Sequence, residues 1–163
     1  MKTIVVFYSL EGNTKEAAQK VAEALGADVM ELVPVKEIPK KGLLKFLHGG
    51  AGATKGKGTE LKPYTLDASS YDAIVLGTPV WAGKPAMAMN QFLMDLKTPE
   101  KVVGAFAFAA SGNCEKCLAS LSSKCPSIKC KVGLADRSSA KLATENAGKL
   151  DAFISSLRAL KEP

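Results

Sequence analysis

Apolar and polar positions alternate along this chain between two kinds of run. Thr3-Ile4-Val5-Val6-Phe7 is β-branched, aromatic and nearly unbroken, the pattern of a strand buried on both faces. After a polar turn, Ala17, Ala18, Val21, Ala22 and Leu25 recur at helical spacing with charged residues between them. The same rhythm predicts strands over residues 28–33, 73–77, 102–110 and 128–134. It predicts helices over 87–96, from Glu115 to Leu121, and over 142–160, the last with Leu142, Leu150, Phe153, Ile154 and Leu157 on its apolar side. Five strands alternating with helices imply an α/β fold, a parallel sheet covered by helices on both faces, because right-handed crossovers place them there. Ligands of such sheets sit beyond the carboxyl ends of the strands, where strand order reverses. The polar loops at 9–14, 78–84 and 111–114 should therefore share one edge.

The stretch 38–63 breaks the rhythm with six glycines, although Gly42-Leu43-Leu44-Lys45-Phe46-Leu47 could form one or two helical turns. It also carries much of the charge. Between Lys36 and Lys62 lie seven lysines against two glutamates, in a chain whose net charge is +6. Such a run is either a solvated loop or a docking surface for an acidic redox partner. Nucleic acid is disfavoured, because interleaved aromatics and a reading motif are both absent. At 163 residues, 47% apolar and 23% charged, the chain suits one globular domain spanning 1–163, with a basic Gly/Lys-rich insertion at about 38–63. No apolar stretch nears the roughly 20 residues that cross a bilayer, and no signal-peptide pattern opens the chain, so the expectation is a cytoplasmic protein without a membrane partner. Either a monomer or a homodimer is compatible with the sequence.

Three loops carry the candidate chemistry. In Ser9-Leu10-Glu11-Gly12-Asn13-Thr14, hydroxyls, an amide and backbone N–H groups gather at a helix N-terminus, where the helix dipole favours an anion. A nucleoside-triphosphate loop would need a lysine where Asn13 stands, and a dinucleotide fingerprint would need three glycines where only Gly12 occurs. What remains suits one phosphate monoester held without a counter-cation; the bland alternative is a plain turn with Asn13 or Thr14 as helix cap. The second loop, Thr78-Pro79-Val80-Trp81-Ala82-Gly83, places the chain's one tryptophan at a strand end, as a stacking surface for a flat ring or as packing. The third, Ser111-Gly112-Asn113-Cys114, adds further N–H groups. A phosphorylated planar heterocycle fits all three.

At these residues the chain resembles the flavodoxin family, through Ser9–Thr14, through Gly77-Thr78-Pro79-Val80-Trp81-Ala82-Gly83 with Pro85, and through Ala109-Ala110-Ser111-Gly112. The resemblance implies a doubly wound five-stranded sheet of order 2-1-3-4-5. It implies FMN as cofactor, with phosphate on Ser9, the Glu11 backbone, Gly12, Asn13 and Thr14, and with Leu10 among the cofactor-binding residues. The ring would lie against Thr78, Pro79, Val80, Trp81, Ala82 and Gly83, with contacts from Ser111, Gly112, Asn113 and Cys114. The function expected is electron transfer through non-covalent flavin, with an NAD(P)H-dependent quinone or FMN reductase as alternative. Two departures bear on that choice. The chain is basic, whereas low-potential flavodoxins surround the flavin with negative charge that disfavours its reduced anion. The third loop also lacks a second aromatic, which leaves one ring face to Phe46, Leu47 or a substrate.

Cys114, Cys117, Cys125 and Cys130 include a CxxC at a predicted helix start, a setting that lowers thiol pKa. A redox dithiol, a metal site and plain reduced thiols are the readings; plain thiols are favoured, and the second spacing is unlike a zinc ribbon. No metal ligand set or catalytic nucleophile–histidine–carboxylate set is apparent, and the sole histidine, His48, falls in the glycine-rich segment.

Overall fold

The computed structural model describes residues 1–38 and 55–160. Phe46, Leu47, His48, the turns anticipated over 42–47 and several lysines of the basic segment lie outside the described residues. Among the described residues six strands form one sheet: β1 (Thr3–Phe7), β2 (Asp28–Glu31), β3 (Ala73–Trp81), β4 (Lys84–Pro85), β5 (Val102–Ala109) and β6 (Cys130–Ala135). Their order is β2-β1-β3-β5-β6, all parallel, with β4 paired to β3 as an antiparallel appendage. Apart from β4, this is the expected doubly wound order, and it reverses between β1 and β3.

Alternation along each strand divides the core. Ile4, Val6, Ile74 and Leu76 face Met89, Phe92 and Leu121 from α2 (Met87–Asp95) and α3 (Glu115–Lys124). Val5, Phe7, Val75 and Phe106 face the other way, towards Val21 of α1 (Asn13–Leu25) and Phe153 and Leu157 of α5 (Asn146–Ala159). Gly77 makes room for this packing: a Cβ there would stand 2.3 Å from the Phe106 ring.

Two boundaries differ from expectation. β3 runs four residues past Gly77, because Thr78 and Pro79 continue the ladder with Ala107 and Phe108 of β5, and Val80 and Trp81 pair with β4. The loop expected at 78–83 is thus mostly strand, closed by a two-residue hairpin in which Ala82 (φ 49°) and Gly83 (φ 76°) are both left-handed. The terminal helix is interrupted, with a short α4 (Ala140–Ala143) preceding α5. At the break, the Asn146 amide accepts from Ala135 N–H at 2.9 Å and donates to Ala135 C=O at 2.7 Å, standing in for a missing neighbour strand at the end of β6. The two ends of the basic segment are also tied together, since Val35 N–H donates to Glu60 C=O (2.9 Å) and Lys62 N–H to Val33 C=O (2.7 Å). No helix among the described residues is long and apolar enough to cross a membrane.

Candidate functional site

A cavity of about 330 Å³ opens at the carboxyl edge of the sheet, above the point where strand order reverses. One wall is the β1–α1 turn, which contributes Ser9, Leu10, Glu11, Asn13 and Thr14. Gly12 caps α1 at φ 97°, a left-handed conformation suited to glycine, and no side chain caps the helix. Neither Asn13 nor Thr14 is the cap: both lie inside the helix, in its first turn, where N–H groups have no partner within the helix itself. The Ser9 hydroxyl accepts from Gly12 N–H at 3.1 Å and fixes the turn.

The opposite wall is the β3–β4 hairpin, with Pro79, Val80, Trp81 and Ala82. Trp81 is half-buried and meets Tyr8 nearly perpendicularly, at 86° with ring centroids 5.6 Å apart. Gly83 lies on the turn beside the Lys116 side chain, outside the lining. Thr78 is 0% exposed, and its hydroxyl accepts from Ala86 N–H at 3.1 Å and donates to Pro79 C=O at 3.0 Å. It secures the hairpin from below and does not line the cavity.

The third loop reaches the cavity through Ala110 alone. Ser111, Gly112, Asn113 and Cys114 do not line it. Their polar atoms serve the loop itself: Ser111 Oγ accepts from Asn113 N–H at 3.2 Å, and Asn113 Oδ1 accepts from Glu115 N–H at 3.2 Å. Cys114 is 3% exposed and donates its thiol to Ala107 C=O at 3.3 Å. The lowered thiol pKa expected at this helix start is overturned. Burial pushes the Cys114 thiol up, and burial followed by the nearby Cys114 pushes Cys117 to about 12, so desolvation outweighs the helix field. All four cysteines are free and buried.

Phe108, Asp136 and Ser138 complete the lining and were not anticipated. Phe108 carried no signal, being one apolar residue in an apolar strand. Asp136 and Ser138 did carry one, because Asp136-Arg137-Ser138-Ser139 is a polar run directly after the last strand, on the same edge by the same rule. Asp136 Oδ1 accepts from Ser138 N–H at 2.8 Å. The electrostatics also depart from expectation. Glu11 and Asp136 put two carboxylates on the cavity, and among the described residues no lysine or arginine lines it, although the chain as a whole is basic. The cations nearest in sequence are engaged elsewhere: Lys15 pairs with Glu31 at 2.8 Å and Arg137 with Glu16 at 2.6 Å. Lys20 and Arg137 together hold the Glu16 carboxyl below its usual range.

This is an open, doubly wound α/β protein with an anion-type turn and an aromatic hairpin facing each other across a switch-point cavity. A flavodoxin family model matches residues 53–147, and the chain belongs to that family. A flavoprotein from Lactobacillus acidophilus, solved in complex with FMN, shares the fold at a TM-score of 0.66 and 20% identity, over 91% of this chain and 97% of that one. A putative flavoprotein from Bacteroides uniformis shares it at 0.71 and 23% identity, over 90% and 97%. The NAD(P)H dehydrogenase (quinone) of Archaeoglobus fulgidus is 30% identical over 96 residues, or 56% of this chain and 49% of that protein. The chain thus spans about half the length of that curated relative.

Proposed function

We propose that the protein binds FMN non-covalently in this cavity and works as an electron-transfer flavoprotein. One observation carries the reading: a helix N-terminus capped by left-handed Gly12, with no side-chain cap, faces the Trp81 hairpin across one cavity. A phosphate monoester suits the first wall, because N–H groups, hydroxyls and the helix dipole bind it without a counter-ion. A flat ring suits the second, where the indole offers apolar surface on a rigid hairpin. Bound flavin would supply the redox chemistry; the chain positions the ring, limits water access and sets the surrounding charge. Asp136 on the lining places a carboxylate at the cavity, a feature that favours the carrier over the reductase.

Purified protein mixed with FMN and passed through gel filtration should carry the yellow flavin absorption with it. Colourless protein would sink the reading. The second reading, an NAD(P)H-dependent quinone or FMN reductase, is favoured by the name of the Archaeoglobus relative. Rapid NAD(P)H oxidation by the isolated flavoprotein would establish it, whereas a carrier needs a partner protein to turn over. For a carrier, the exposed Lys36, Lys55, Lys57 and Lys62 offer a basic face to an acidic redox partner. Association should then slow as salt is raised.

A further inference from the structure

We infer that Tyr8 and Glu37 are positioning residues for Trp81, holding the plane of the indole fixed before any ligand enters the cavity. The geometry stands by itself; that the indole faces a flavin rests on the function proposed above. Tyr8 directly follows β1 and is 1% exposed, and its N–H donates to Gly77 C=O at 3.1 Å, so its backbone is locked to β3. Its phenol O–H donates to Glu37 Oε1 at 2.6 Å, and the same oxygen accepts from Ile38 N–H at 3.2 Å. Burial, followed by this hydrogen bond, pushes the phenol pKa upward and keeps the proton on the donor. A buried hydroxyl stripped of its acceptor is costly, so the ring keeps the one orientation that reaches Glu37. In that orientation it stands at 86° to the indole, a directional aromatic contact that blocks Trp81 from turning.

Three substitutions separate orientation from packing. Tyr8→Phe keeps the ring's volume and removes the tether. Glu37→Ala removes the acceptor from an exposed position, and Glu37→Gln restores an acceptor oxygen. Trp81 is the chain's one tryptophan, so its fluorescence anisotropy decay reports on this indole alone. In FMN-free protein, Tyr8→Phe and Glu37→Ala should each enlarge the fast local component of that decay, while Glu37→Gln stays close to wild type. FMN affinity should fall about 3- to 10-fold in the first two and by less than about twofold in the third. An unchanged Trp81 decay in Tyr8→Phe, or damage by Glu37→Gln equal to that of Glu37→Ala, overturns the inference. Failure of the wild-type protein to take up FMN would instead remove the proposed function, and the FMN-free decay would still decide this one.

Discussion

Single residues set the balance of charge at the cavity. Asp136 combines a carboxylate on the lining with a side-chain oxygen that fixes its own turn through Ser138 N–H. Asp136→Asn keeps that oxygen and removes the charge, so the turn should survive. Reduction adds negative charge to the flavin, and a nearby carboxylate opposes it. The midpoint potential should therefore rise, by on the order of 20–60 mV for a one-electron couple, from a solvent-screened interaction of about 0.5–1.5 kcal/mol. Spectroelectrochemistry of the two holoproteins measures it; an unchanged or lowered potential would place Asp136 away from the ring. The basic composition says little at this scale. Net charge sums the whole chain, whereas a bound flavin responds most to the groups nearest it, and the described lining of the cavity includes two carboxylates.

At the scale of elements, the strand–helix alternation and most core faces were legible, because burial imposes a period that the residues record. What the sequence did not record was how far neighbouring elements would carry each other. Gly77 and Pro79 look like punctuation, yet pairing with β5 extends β3 through both. Asn146 looks like one polar residue in a helical run, yet its amide completes the end of β6 and interrupts the helix. Both are tertiary decisions with no local sign. The same holds for Ser111 and Asn113, whose side chains are spent on their own loop. Gly77 offers a direct test of the packing between β3 and β5. Gly77→Ala would force its Cβ into the Phe106 ring, and overpacking of this kind costs about 1–3 kcal/mol, read as a lower midpoint in urea. Wild-type stability in that variant would mean that Phe106 can move aside.

Among the described residues, the two buried groups with the largest upward shifts are Tyr8 and Cys117, and both are neutral when protonated. Folded Cys117 keeps its proton up to about 12, while the unfolded thiol loses its own near 9.0. Between those values the folded state binds more protons than the unfolded one, so stability falls as pH rises. It is fully present below about 9. Denaturation midpoints followed from pH 8 upward should decline above about 9, and Cys117→Ala should flatten the decline after its own loss of packing is allowed for. A flat wild-type profile would show that Cys117 is reached by water. The cluster of cysteines that suggested redox chemistry in the sequence thus reports, in three dimensions, on how dry the core beneath α3 is.

The hairpin that carries Trp81 has one further consequence, and it concerns handedness. Among the described residues, Ala82 is the one non-glycine at positive φ, a conformation that costs an L-residue about 1–2 kcal/mol. A D-alanine introduced there by chemical ligation would meet its own preferred backbone region, with the same methyl group and the same net charge. The semisynthetic protein should be more stable than the natural one by roughly that amount, compared by urea denaturation. Position 82 would then be a place where the chain departs from what its chirality prefers, and where the mirror-image residue would hold the aromatic wall more firmly.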